Sequence, residues 1–297
     1  MNILIIGSQG FIGSNAVDYF LNAGHSVIGC DISTTVSQNY YTIHNPVADF
    51  DHIFSISRFD VCINASGLAN VQLSFQQPLL DYELNVSNVF YLLNALQKHN
   101  PTCKFINFSS AAVYGNPQKL PISESAFSFP LSPYGKHKKY SEEICKEFNQ
   151  FFNIPTCSLR VFSAYGPGLT KQLFWDLYQK QKVSDVINLF GTGKETRDFI
   201  YITDLLYAVD CVIDKARFEG EAINFGNGEE ESIELVAKYF LSHFGLNKRL
   251  LFTGEQKIGD PHNWKADIML LKSMGYKKST DIKEGINSYA LWLKEKK

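Results

Sequence analysis

Asn2-Ile-Leu-Ile-Ile6, followed at once by Gly7-Ser-Gln9-Gly10-Phe11-Ile12-Gly13, is the stretch on which the fold turns. The short branched apolar run predicts a buried strand and the residues from Ser14 to Ala23 predict a helix, so the glycines fall in the turn between them. Each glycine has its own steric reason. Gly7 makes the tight turn, Gly10 lets backbone amides approach a pyrophosphate, and Gly13 lets the helix pack close to the strand. Gln9, Phe11 and Ile12 are expected to line the same cofactor site. The helix stops at Gly24, and Ser26-Val-Ile-Gly-Cys30 reads as a second buried strand that delivers Asp31. A carboxylate there accepts from both adenosine ribose hydroxyls and repels a 2′-phosphate. No Arg or Lys follows in residues 32–39 to neutralise that phosphate, which favours NAD over NADP.

The second informative stretch is Pro133-Tyr134-Gly-Lys-His-Lys138. Ser132 can cap a helix, Pro133 suits its first position, and a mixed polar and apolar run continues to Phe152. Tyr134 and Lys138 then lie one turn apart on one face. A free phenol ionises near pH ~10, so it serves as a base at neutral pH only beside a charge that favours the phenolate. Lys138 can supply that charge. Alone, the same spacing equally describes a half-buried ring beside a solvated ammonium.

The glycine loop, spaced GxxGxxG, and the Tyr134/Lys138 pair together resemble the extended short-chain dehydrogenase/reductase family, of the NAD-dependent nucleotide-sugar epimerase/dehydratase type, over nearly the whole chain. The resemblance implies an α/β fold: a Rossmann-like doubly wound parallel sheet with a smaller, mixed α/β C-terminal substrate domain. Residues 1–162 and 199–226 would form the NAD-binding part, and 163–198 with 227–297 the sugar-nucleotide part. The small-residue loop Ala65-Ser66-Gly67 would pass under the cofactor, and Asp49 matches an adenine-contacting acid. Asn85 matches an asparagine near the active site, inside a long helix expected from Pro78 to His99. Ser110, at the end of the strand from Lys104, would hydrogen-bond the sugar oxygen whose proton Tyr134 exchanges. Related dehydratases carry an acid and a base at positions 111 and 112; here both are alanine, so elimination has lost its machinery. Leu189 to Phe199 matches the family's hairpin and its Arg-Asp-Phe, in which Arg197 would engage the substrate diphosphate. Ser163 stands where the family usually has Asn, and Lys257 where it has Arg, so those two substrate contacts depart from the pattern.

Composition agrees with a globular enzyme. The chain has 297 residues, 45% hydrophobic and 20% charged, enough for a large core. A net charge of −2 gives no overall attraction to nucleic acid or anionic membrane. The six cysteines lack ligand spacing, and several lie in apolar runs that predict buried inert thiols. No run reaches the ~18 apolar residues of a membrane span, and no basic, apolar leader follows Met1. A cytoplasmic protein without metal is expected. The activity the resemblance implies is NAD-dependent epimerisation of a UDP-, GDP- or dTDP-linked sugar through oxidation at C4. A 4-keto sugar reductase, a net C4 dehydrogenase and, in another class, a non-catalytic NAD-binding regulator use the same fold. The resemblance also implies a homodimer built on helices around 80–99 and 133–152.

Overall fold

The structure is a computed structural model that describes residues 1–35, 39–245 and 248–296. Residues 36–38, within the stretch read for a missing phosphate partner, lie outside the described residues. The chain begins with β1 (Asn2–Ile6), whose Ile3, Leu4 and Ile5 are fully buried. Helix α1 (Phe11–Asn22) follows, and it starts three residues earlier than the sequence suggests, because Gly10 in extended conformation is its N-cap. Next come β2 (Ser26–Asp31), β3 (Tyr40–Thr42), α2 (Pro46–Ile56) and β4 (Val61–Asn64).

The helix expected from Pro78 to His99 is preceded by α3 (Val71–Gln76) and is not uniform. It comprises α4 (Pro78–Tyr82), a π turn at Glu83–Ser87 and α5 (Asn88–His99). A π turn accommodates one extra residue and re-aims the side chains around it, and Asn85 sits inside this one. Strand β5 (Lys104–Ser110) leads through a 3₁₀ turn at Ala111–Val113 to α6 (Pro133–Phe152), which spans the predicted residues. Ser132 accepts from the Gly135 amide at 3.1 Å, Pro133 is the first helical residue, and Asn153 ends the helix in the left-handed region. The chain continues through β6 (Thr156–Val161), β7 (Ser163–Tyr165), α7 (Gln172–Val183), β8 (Val186–Leu189), β9 (Thr196–Arg197) and β10 (Phe199–Tyr201). Then follow α8 (Ile202–Lys215), β11 (Glu219–Phe225), β12 (Glu231–Ser232), α9 (Ile233–Ser242), β13 (Arg249–Phe252), α10 (Met269–Ser273) and α11 (Ile282–Glu295).

Among the described residues, seven strands form one parallel sheet in the order β11-β6-β5-β4-β1-β2-β3. The period-2 alternation of β1 explains its two-sided burial. Ile3 and Ile5 pack into a core with α1, α8 and the C-terminal elements, while Leu4 and Ile6 pack against residues of α2, α5 and α6. The chain winds outward in one direction from β1 to β3 and in the other from β4, so the order reverses between β1 and β4. In such sheets the crevice beyond the carboxyl ends at the reversal is where ligands bind. All six cysteines are free thiols, five of them buried.

The segment 189–199 is not a hairpin. β8 pairs in parallel with β13, whereas β9 pairs antiparallel with β12, so the two strands on either side of Gly191-Thr-Gly-Lys-Glu195 belong to different sheets. The turn between them is closed by Glu195, whose carboxylate accepts from the Thr192 and Gly193 amides at 2.9 Å each.

Candidate active site

The reversal between β1 and β4 brings the glycine loop against the Ala65-Ser66-Gly67 loop. Gly7 has φ +79°, and a Cβ on it would lie 2.7 Å from the Ser66 amide nitrogen. A Cβ on Gly13 would lie 2.0 Å from the Gly7 carbonyl oxygen. Both contacts are with backbone, which has little room to yield. Gly13→Ala is therefore expected to push α1 off the loop, weakening dinucleotide binding at least ~10-fold and costing about 1–3 kcal/mol of stability. Dinucleotide titration and urea unfolding of the variant check both.

Helix α1 carries no acidic side chain in its first turn and no side-chain cap. Its first amides and the positive end of its dipole are thus open to an anion. Asp31 accepts from the Gln9 amide at 2.9 Å through one oxygen and from the Ile32 amide at 2.7 Å through the other, which ties the glycine loop to the end of β2. Phe11 and Ile12, in the first turn of α1, are part-buried beside that loop. These features fit a dinucleotide: bare backbone where a pyrophosphate lies and a carboxylate at the next strand end. Asp49 has a local task as well. In the first turn of α2, it accepts from the His44 and Asn45 amides at 2.7 Å each, and the Asn45 bond leads in holding its carboxyl below the usual range.

The loop at 65–67 is positioned by a chain of buried polar groups. The Ser66 hydroxyl donates to Asn64 Oδ1 at 2.6 Å, Asn64 donates to Asn107 at 3.3 Å, and Asn107 donates to the Ser141 hydroxyl at 3.0 Å. Ser141 is held in turn by the Lys138 carbonyl at 2.8 Å. The chain thus links the end of β4 and the middle of β5 to α6.

On α6, Tyr134 and Lys138 are both buried, at 8% and 5% exposure. Lys138 Nζ donates to the Phe108 carbonyl at 2.8 Å and lies 6.0 Å from the centre of the Tyr134 ring. Ser110, at the end of β5, accepts from the Ala112 amide at 3.1 Å and lies close enough to the Tyr134 phenol to influence its ionisation. Burial pushes the Tyr134 phenol up to about 12, with the Ser110 hydroxyl pulling it down and Asp81 pushing it up. Burial likewise brings the Lys138 ammonium down to about 8, against the attraction of Asp81 and aided by Lys171. Asn85 Nδ2 donates to the Leu68 carbonyl at 3.2 Å. A Cβ built on Gly67 would meet Asn85 Oδ1 at 2.5 Å and Lys138 Nζ at 3.4 Å, so these two groups converge on one spot. Ala111 and Ala112 offer neither acid nor base beside Ser110.

A second set of residues lies farther along. The Arg197 guanidinium donates to the Thr196 and His262 carbonyls at 2.8 and 3.2 Å and stacks 5.4 Å over Trp264. Among the described residues it forms no ion pair within 4 Å, and burial lowers its pKa against the pull of Asp260 and Glu195. Its neighbour Asp198 is occupied elsewhere: the fully buried carboxylate accepts from the Asn227, Gly228 and Ala266 amides at 2.6, 2.9 and 3.0 Å. Arg197 and Asp198, though adjacent in the chain, form no salt bridge with each other. Lys257 is exposed, and Asp260 faces both Lys257 and Arg197. The Gly254–Asp260 loop reaches the first site, since a Cβ on Gly259 would touch Val71, Phe75 and Ser132. Ser163 is part-buried in β7, bonded through its amide to the Asp198 carbonyl at 2.9 Å.

The model of the NAD dependent epimerase/dehydratase family matches residues 3–226. The chain belongs to this family. A putative UDP-glucose 4-epimerase of Methanocaldococcus jannaschii is 30% identical to it, with 98% of each chain covered. Among solved structures, a UDP-glucuronic acid 4-epimerase from Bacillus cereus, in complex with UDP-glucuronic acid and NAD, is 26% identical with a TM-score of 0.88 and covers 100% of both chains. A UDP-glucose 4-epimerase of Thermotoga maritima with UDP-glucose is 25% identical with a TM-score of 0.90, covering 100% of this chain and 99% of that one.

Several residues that shape the site carry no signal in the sequence. Asp81, His137, Lys171, Glu142 and Arg160 belong to no motif, although Asp81 with Asn85 and Lys138 with Glu142 are spaced one helical turn apart. That spacing is the one cue that could have found Asp81 and Glu142.

Proposed function

We propose that the protein is an NAD-dependent epimerase that inverts a secondary hydroxyl, at C4, of a UDP-linked sugar. The observation that carries the reading is the convergence of Ser110, Tyr134 and Lys138 at the end of β5, with alanines at 111 and 112. The two related solved 4-epimerases and the relative from Methanocaldococcus jannaschii support UDP as the nucleotide. The residues at hand fit NAD: the Gly7–Gly13 loop and α1 N-terminus would hold its pyrophosphate, Asp31 a ribose, and the Ala65–Gly67 loop and Lys138 its nicotinamide half. When bound, NAD supplies a reversible hydride acceptor. The protein supplies the rest. Tyr134 removes the sugar hydroxyl proton and returns it, Ser110 donates to the oxygen as it becomes a carbonyl, and Lys138 favours the phenolate by its charge. Arg197, freed from carboxylate pairing and planar, suits two diphosphate oxygens; Lys257, Asn85 and Ser163 are assigned to the substrate side of the same cleft.

Residues 163–198 and 227–297 are assigned to the sugar nucleotide and the remainder to NAD. Exposed Leu79, Tyr82, Phe90, Tyr140, Phe151 and Phe152 on α4, α5 and α6 suit pairing of two copies through these helices. The reading is tested by denaturing the purified protein to identify released dinucleotide, then incubating native enzyme with a panel of nucleotide sugars. NAD and an isomeric product, with no net absorbance change at the nicotinamide band, is the expected result. Stoichiometric NADPH oxidation against a 4-keto sugar would replace it with a reductase.

A further inference from the structure

Asp81 is fully buried on α4, and a buried carboxylate is costly unless other groups answer it. One of its oxygens lies 2.6 Å from His137 Nδ1, while the other is buried without a hydrogen-bond partner among the described residues. An ionised carboxylate only accepts, so Nδ1 carries the proton in this contact. His137 is wedged by Tyr82, edge-on at 5.3 Å, and Tyr140 at 6.2 Å, which fixes the ring. It is also the residue next to Lys138 on α6. Asn85, four residues beyond Asp81, has its own Oδ1 buried and unpartnered, at the spot where Lys138 Nζ converges. The lone Asn85 acceptor therefore converges on a buried ammonium that has three N–H donors and one bonded acceptor, the Phe108 carbonyl, while the lone Asp81 oxygen belongs to a carboxylate held against the residue next to that ammonium on α6.

We propose that Asp81, held in place by His137, is a positioning residue whose buried charge keeps Lys138 protonated in the active site. The proposal rests on the role given to Lys138 above. The groups facing Lys138 divide by sign. Asp81 from α4, together with Glu142 from its own helix, favours the ammonium, the Cys145 thiol, pushed up to about 12 by burial, stays uncharged, and Lys171, just before α7, opposes the ammonium. Tyr134 and Asn85 complete its surroundings. Asp81 leads the favourable set, offsetting part of the burial that brings Lys138 down to about 8.

The test is the pH dependence of kcat in Asp81→Asn and His137→Gln, alongside NMR titration of Lys138 in protein carrying ¹³C-labelled lysine, with Lys138→Arg to assign the signal. Asp81→Asn should move the alkaline limb of kcat down by about one pH unit, so that activity is about tenfold below wild type at pH 9 but within about twofold at pH 6.5, with KM little changed. His137→Gln keeps the carboxylate and should leave the limb at or above its wild-type position. The Lys138 titration should move in the same directions. Equal downward shifts in both variants, or a uniform loss of rate at every pH, would overturn the proposal by reducing the pair to a structural contact. Should Asp81→Asn fail to fold, a downward limb in His137→Gln alone overturns it. The NMR titration needs no turnover. A protein that acts on no nucleotide sugar but shows the Asp81→Asn shift would sink the functional reading and leave this one standing.

Discussion

Tyr134→Phe is expected to lower kcat by about three orders of magnitude while leaving dinucleotide binding and the fold intact. The ring stays where it is, because its burial on α6 and its approach to Lys138 do not depend on the hydroxyl. On the proposed mechanism, what is lost is the group that exchanges a proton with the sugar oxygen, and Ala111 and Ala112 provide no substitute. In the protein alone the phenol is held up at about 12 by burial, so the neutral form dominates at pH 7 and Lys138 has to favour the phenolate as the reaction proceeds. The sign for pH follows from Lys138. Its value of about 8 means that the charge is present below that pH and lost above it, so kcat should fall as pH rises through about 8. Stability runs the other way: a folded value below the ordinary lysine value makes the native state bind fewer protons, so this group's contribution to stability rises with pH between the two values. Steady-state kinetics of the variant across substrates and pH, with dinucleotide titration as the control, checks the claim. A variant that retains wild-type kcat would remove Tyr134 from the chemistry.

Much of this site was legible because its physics is local. A glycine between strand and helix, a Ser-Pro helix start and a Tyr/Lys pair one turn apart each depend on a few neighbouring residues, and β1, β2 and α6 lie where those cues put them. The π turn around Asn85 was not legible, since the apolar period of Pro78–His99 is compatible with an unbroken helix, and one extra residue in a turn leaves no compositional trace. The supposed hairpin at 189–199 failed for a different reason. The strands flanking it find partners at 231–232 and 249–252, and long-range pairing is invisible to spacing along the chain. Arg197 is a middle case: the motif names the residue, but only its separation from Asp198 shows that its charge is free.

The largest stability effect should come from a residue no motif contains. Glu142 is fully buried on α6, one turn beyond Lys138, and holds Arg160 of β6 through paired bonds of 2.9 and 2.8 Å. It also accepts from Ser109, the neighbour of Ser110, at 2.7 Å. Arg160 donates onward to the Tyr114 hydroxyl and the Glu124 carbonyl, each at 2.8 Å, and Tyr114 donates to Asn224 of β11 at 2.6 Å. One ion pair thus joins β5, β6, β11 and the helix that carries Tyr134 and Lys138. Removing one partner leaves the other charged and desolvated, so Glu142→Leu should cost about 3–5 kcal/mol, read by urea unfolding. Adding Arg160→Met removes the stranded charge as well, and the double variant should recover most of that loss. Activity should not return with stability, because Ser109 and Tyr114 would still have lost the groups that fix the end of β5 against α6. Recovery of both together would mean that the network serves only to hold the fold. Recovery of stability alone would assign it the alignment of Ser110 with Tyr134.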